Sequence, residues 1–152
     1  MSADQSDPAP VLADRLGPLL GQAHLAHRRV AEAELAPFGL RAKEFGALSV
    51  LGASGPMSQQ RLGEAMRIDR TTMVAIADAL ERKGLVERRR DPEDRRAYAL
   101  RPTADGRRVL GGATEAVQRA EERFLARLSP RDRRHLKRLL RELTSPRDVS
   151  DP

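Results

Sequence analysis

Between Ser58 and Gly106 the hydrophobic period of this chain changes from helical to alternating, and each change is marked by a capping or turn residue. The run "DRTTMVAIADALERKG" opens on Asp69, whose carboxylate can accept from the free N–H groups of a first helical turn and whose charge suits the positive end of the helix dipole. Met73, Ile76, Ala77 and Leu80 recur at three- and four-residue spacing, the pattern of a buried stripe. Arg70, Thr71, Val74, Ala75 and Asp78 fall on the outward side, nearest the N-terminus. Gly84 follows as a left-handed stop, with Arg82 and Lys83 at the negative end of the dipole. Just upstream, "SQQRLGEAMRI" predicts a shorter helix capped by Ser58 that buries Leu62, Ala65 and Met66, joined to the next by a short turn.

After Gly84 the segments Leu85 to Arg90 and Ala97 to Arg101 read as two short strands separated by "DPEDRR". Asp-Pro initiates a turn, and a loop of this length between strands is a hairpin, here tipped by Arg95 and Arg96. Two capped helices, a tight turn and a basic hairpin describe a winged helix-turn-helix, which lays its second helix in a DNA major groove with the wing beside it.

The run "IDRTTMVAIADALERKGLVERRRDPEDRRAYALRPTADG" resembles the signature of the MarR family of bacterial transcription regulators: a D-R-[ST]-T helix, G-L-V-x-R, D-x-x-D-R-R, a strand, and T-x-x-G. The match is dense over residues 58–106 and weaker outside, where the flanking helices keep the family's order and lengths. The resemblance implies a mainly α fold, a winged helix-turn-helix with N- and C-terminal helices forming a dimerisation domain. It also implies a homodimeric, sequence-specific regulator of transcription, in the first instance a repressor on a palindromic operator. Family members often respond to small phenolic or aromatic anions. The implied pocket lies among the first, second and fifth helices, with His24, His27, Phe45 and Ser49 as contributors.

Outside the centre the chain reads as helical. Residues 1–8 are small, polar and acidic and are expected to be disordered, as is a flexible tail over 146–152. From Pro10 to Leu35 apolar residues recur at Leu12, Leu16, Leu19, Leu20, Ala23, Ala26 and Val30, with Pro18 predicting a kink or restart. Residues 41–53 predict a helix with Phe45, Leu48 and Leu51 inward, while Val50 is left unassigned. A long helix capped by Thr103 is expected to run to about Leu128 with Val109, Ala113, Ala116, Val117, Ala120 and Phe124 as its stripe. Ser129-Pro130 opens a last helix with Leu136, Leu139, Leu140 and Leu143 on one face. A thin helix followed by a leucine-striped one cannot bury itself on a small central domain, so a second copy of the chain is the expected partner. The domain reading is therefore 9–36 and 107–145 for dimerisation, through Leu12, Leu16 and the last-helix leucines, and 37–106 for DNA.

A two-fold pair of recognition helices predicts double-stranded DNA carrying an inverted repeat, with half-sites about one helical turn apart. Arg70 is the leading candidate for a bidentate guanine contact, its alternative a pairing with Asp69 or a phosphate. Thr71 and Thr72 can donate to phosphates or bases, although one of them, Thr72 by preference, can instead pack inward. Ser58, Gln59 and Gln60 suit a phosphate at a helix N-terminus. Arg95 resembles the family's minor-groove arginine, Arg96 is expected to hold the wing by pairing with Asp94 or Asp69, and Arg88 and Arg90 are favoured over Arg89 as the DNA-facing side of their strand. Positions 75 and 79, often long and polar in relatives, are alanine here and 74 is valine. Val74 and Ala75 can touch thymine methyls but cannot hydrogen-bond bases.

Composition agrees with an anionic partner: the formal charge is +6 and the pI about 10.8. Lysine occurs only at Lys43, Lys83 and Lys137, every other basic side chain being arginine, a bias we attribute chiefly to a GC-rich genome. The arginine-rich stretch from Arg119 to Arg147 is read as a solvated helix face. With no cysteine, disulfides and thiol-based sensing are excluded. His24 and His27 lack a companion carboxylate cluster, so no metal is expected. No nucleophile–base pair, phosphate-cradling glycine loop or cofactor motif can be assembled, so neither an enzyme nor a cofactor is expected. No signal peptide or membrane-length apolar run is seen, so the cytoplasm is the expected location. The alternative is a basic architectural or RNA-associated winged-helix protein without a ligand. Tyr98 and three phenylalanines offer few aromatics for stacking unpaired bases.

Overall fold

The computed structural model describes residues 14–90 and 98–145. The expectations for residues 1–8 and 146–152, for Leu12 and for the wing tip with Arg95 and Arg96 lie outside the described residues. The elements run α1 (Leu16–Leu35), a single 3-10 turn (Ala36–Phe38), α2 (Ala42–Ser54), β1 (Met57–Ser58), α3 (Gln59–Met66), α4 (Arg70–Arg82), β2 (Val86–Arg90), β3 (Tyr98–Pro102), α5 (Ala104–Phe124) and α6 (Pro130–Thr144). The fold is mainly α with one small antiparallel sheet, as the sequence predicts.

Pro18 does not break α1, and whether a helical segment precedes that helix lies outside the described residues. The helix begins at Leu16, with Arg15 as its N-cap, so the proline sits inside the first turn. N–H groups there have no intrahelical acceptor, and a residue lacking one costs little. Intrahelical bonding starts one residue later, where Leu19 N–H donates to the Arg15 carbonyl at 3.2 Å.

In α3 the stripe is also adjusted: Leu62 is buried and Met66 half-buried, but Ala65 is exposed and Gly63 takes the inner place. A methyl at Gly63 would stand 3.2 Å from the Ile68 carbonyl and 3.5 Å from the Met73 side chain, so the crossing with α4 needs the smaller residue. Val50, unassigned from pattern, is half-buried against the core. The fifth helix stops at Phe124, short of the expected Leu128, and its chain turns through a buried Leu125 toward the Ser129 cap.

Strand β1 has no counterpart in the sequence reading. It is two residues long and pairs Met57 with Leu100 and Ser58 with Ala99, giving the sheet order β1-β3-β2. Two residues carry no readable alternation; only β3 alongside makes them a strand. The wing strands pair from Val86 opposite Pro102 to Arg90 opposite Tyr98.

One core holds the centre together, built from Leu35, Leu48, Leu51, Leu62, Met73 and Leu80, with Leu85 and Leu100 contributed by the sheet. Helix α5 buries Ala113, Ala116 and Ala120 and packs most extensively against α1. The start of α5 is tied to the end of α4: Thr103 Oγ1 donates to the Gly84 carbonyl at 2.7 Å and accepts from Gly106 N–H at 2.9 Å, while Thr103 N–H donates to the Leu85 carbonyl at 3.0 Å. Only α6 stands apart. It has no buried residue, and Leu139, Leu140 and Leu143 are 41%, 38% and 68% exposed in the single chain.

Candidate nucleic-acid interface

The interface is built on α4. Asp69 caps it by accepting from Thr72 N–H at 2.9 Å and from the Thr72 hydroxyl at 2.6 Å. The Thr72 hydroxyl bond, followed by its N–H bond, holds the Asp69 carboxyl below the ordinary aspartate range, so the cap is ionised at neutral pH. With both oxygens turned to Thr72, Asp69 has no ion pair with Arg70 among the described residues. Thr72 is half-buried with its hydroxyl already donating, in keeping with the inward preference.

The two sides of α4 differ sharply. Met73, Ile76, Ala77 and Leu80 are buried, whereas Arg70, Thr71, Val74 and Ala75 are exposed. The outward, N-terminal flank thus presents one cation, one hydroxyl and two small apolar groups. The exposed flank can enter a groove without disturbing the core. The start of α3 lies nearby: Ser58 accepts from Arg61 N–H at 3.2 Å, and Gln59, Gln60 and Arg70 line one cleft of about 610 Å³ between the two helices.

Arg88 corrects one expectation. It does not face outward with Arg90. Its guanidinium turns back onto α4, donating to Asp78 at 2.6 Å and to Glu81, and reaches Gln59 of α3 at 3.3 Å. A cation engaged by two carboxylates braces the recognition helix against the wing and is poorly placed to neutralise a phosphate. Arg89 pairs with Glu87 at 3.1 Å, and Glu87 also takes Arg101 at 2.6 Å. The Arg101 hydrogen bond, the larger influence, lowers the Glu87 carboxyl. Arg90 is exposed. Strand alternation places Arg88 and Arg90 on one side, but the carboxylates that decide between them come from another helix.

A second feature went unread in the sequence. Glu44 is buried at the start of α2, where it accepts from Arg41 N–H at 2.9 Å and from Lys83 Nζ at 2.6 Å. Lys83 also donates to the Gly39 carbonyl at 2.7 Å. Lys83 therefore does more than answer a helix dipole: it clamps the C-terminal end of α4 to the chain before α2. Lys83→Met should destabilise the fold by about 1–2 kcal/mol by leaving a buried carboxylate short of a partner. A double-mutant cycle with Glu44→Gln in urea unfolding should show coupling, and additive losses would refute the clamp.

Beside this clamp a cleft of about 860 Å³ opens between α1, α2 and α4, its wall including His24, His27, Arg28, Arg41, Lys43 and Arg82. The sequence reading is corrected on two points. The third wall is α4, not the fifth helix, and neither Phe45 nor Ser49 lines it. Phe45 packs against the core, and the Ser49 hydroxyl donates to the Phe45 carbonyl at 2.7 Å. His27 borders the cleft while stacking edge-on to Phe124 of α5, ring centres 5.5 Å apart. Among the described residues no group of three or more metal-binding side chains is gathered, and no helix is long and apolar enough to cross a membrane.

A capped recognition helix with a bare outward flank, a helix N-terminus beside it and a sheet leading to an arginine-bearing loop define a winged helix-turn-helix DNA-binding protein. Comparison with known proteins places it more narrowly. The pattern described as MarR family matches residues 40–98. The chain is 36% identical over 118 residues to a putative transcriptional regulatory protein for the hcr operon of Thauera aromatica, covering 78% of this chain and 71% of that one. It is 32% identical over 130 residues to the HTH-type transcriptional repressor Rv2887 of Mycobacterium tuberculosis, covering 86% and 94%. Among solved structures, CouR from Rhodococcus jostii RHA1 bound to p-coumaroyl-CoA superposes with a TM-score of 0.81 at 27% identity, over 93% of this chain and 99% of that one. The chain belongs to the MarR family of DNA-binding transcription regulators, and its relatives are named as regulators and repressors, not enzymes.

Proposed function

We propose that the protein is a homodimeric repressor that binds an inverted repeat and is released by a small aromatic or phenolic anion. The observation that carries the DNA half is the division of α4 into a buried face and an exposed N-terminal flank. In this reading Arg70 makes the guanine contact, Thr71 donates to a base or phosphate, and Val74 and Ala75 meet thymine methyls. Ser58, Gln59 and Gln60 seat a phosphate at the start of α3. Arg90 follows the flanking backbone and Arg95 enters the minor groove, with Arg96 holding the wing at the DNA, the last two on the strength of sequence alone. Arg88 acts behind them as a brace.

The effector half is supported by the α1–α2–α4 cleft and by the p-coumaroyl-CoA bound in the CouR structure. In that cleft Arg28 is paired with Glu32 and Lys83 with Glu44, while Arg41, Lys43 and Arg82 have no ion pair among the described residues. His24 and His27 border that cleft; its position against α4 gives a bound anion a direct route to the recognition helix. Dimerisation is supported by the uncovered leucines of α6 and by Leu16, which is likewise exposed.

Selection of bound sequences from random duplexes, read at two salt concentrations, tests the reading. One palindromic half-site pair should emerge, with a salt slope that counts the phosphates engaged. Enrichment of no sequence, or equal retention of RNA, would favour a basic architectural role. Within this assay Arg70→Ala should lose about 1–3 kcal/mol of discrimination at one base pair of each half-site. Equal loss on selected and random duplexes would remove Arg70 from base reading.

A further inference from the structure

The turn between α3 and α4 contains a backbone anomaly. Among the described residues Arg67 is the one non-glycine with positive φ, at +53°, whereas Gly39, Gly55 and Gly84 fill the other left-handed positions. Arg67 ends α3: its N–H donates to the Glu64 carbonyl at 3.1 Å, and Ile68 N–H reaches back to the Gly63 carbonyl at 2.9 Å. That closure satisfies the last carbonyls of α3 and demands a left-handed residue, a place glycine fills without the crowding a Cβ brings. A non-glycine residue held in this region is uncommon, and such residues cluster at functional sites.

A second observation shows where the side chain lies. Arg67 lines the cleft of about 610 Å³ together with Gln59, Gln60, Glu64 and Arg70. It therefore stands on the flank that carries the start of both helices, and it is exposed. Glu64, the carboxylate of this cleft, accepts from Gln60 Nε2 at 3.0 Å, and no ion pair joins it to Arg67 among the described residues.

We propose that Arg67 is a further DNA-binding residue, gripping a backbone phosphate beside the base pair that Arg70 meets and so setting how deeply α4 enters the groove. Coming from the turn and not from the helix in the groove, it positions without reading sequence. The contact rests on the proposed docking of α4.

The test measures binding of a random-sequence duplex across a range of KCl concentrations for the parent, Arg67→Gly and Arg67→Lys, alongside thermal unfolding. Arg67→Gly should melt a few degrees higher, because glycine relieves the left-handed strain. It should bind DNA about eightfold more weakly per protomer at about 0.1 M salt, with the slope of log affinity against log salt shallower by about 0.9 per protomer. Arg67→Lys should keep the parent slope. An Arg67→Gly protein with the parent's slope and affinity would overturn the proposal. Failure of the docking itself would show differently, as an Arg70→Ala variant whose sequence preference is unchanged.

Discussion

Gly106→Ala is expected to cost at least about 3 kcal/mol of stability, the largest single-residue loss we foresee in the fold. A Cβ at 106 would lie 2.0 Å from the Leu85 carbonyl oxygen and 2.9 Å from its carbon. Neither atom belongs to a flexible side chain that could swing away. The Leu85 carbonyl accepts from Thr103 N–H, and Leu85 N–H donates to the Leu80 carbonyl at 3.0 Å, so the obstacle is bonded on both sides. Relief requires α5 to lift from the end of α4, breaking the Thr103 bonds that join the helical arm to the DNA-reading centre. Gly111→Ala on the same helix is the control, since a methyl there meets nothing within 4 Å and should stabilise by about 0.5–1 kcal/mol. Urea unfolding midpoints decide it: equal shifts for the two variants would show that the close approach has no energetic weight.

If the proposed dimer is seated on α6, Leu140→Glu combined with Leu143→Glu is expected to yield a folded monomer that has lost at least about a hundredfold in affinity for the proposed inverted repeat. Burying a leucine contributes on the order of 2 kcal/mol, and a two-fold interface counts each substitution twice. Within one chain both side chains are exposed, and α6 has no buried residue. The change should therefore leave the central domain's unfolding in place while abolishing association. Sedimentation velocity reads the mass, and binding to one half-site against the full repeat reads the coupling. A parent that itself sediments as a monomer would refute the dimer, and a variant that sediments with a dimeric parent would place the contact off α6.

How far the sequence could be read depended on whether a residue's partners were local. The Asp69, Ser58, Thr103 and Ser129 caps each bond a residue three positions on, and all four were legible because an N-cap is a local event. The buried face of α4 followed from its period, residue for residue. Gly84 was readable as a left-handed stop, and its φ is +70°. Arg88 was misjudged, and Lys83 only partly read, for the opposite reason. Their carboxylate partners lie seven or ten residues away for Arg88 and 39 for Lys83, and no period announces such distances. The cleft was assigned to the wrong third helix because its outline depends on how α1, α2 and α4 are arranged, a relation between elements distant in the chain.

By itself, then, the order of residues determined the caps, the stripe of the recognition helix, the hairpin and the family motif that together declare a DNA-binding winged helix, since each rests on contacts near in sequence. Tertiary structure alone decided which arginines keep their charge available, which glycines are irreplaceable, and where a cavity opens. Those properties arise only when segments far apart in the chain are brought within a few ångströms, where a methyl group or a carboxylate changes what its neighbour can do.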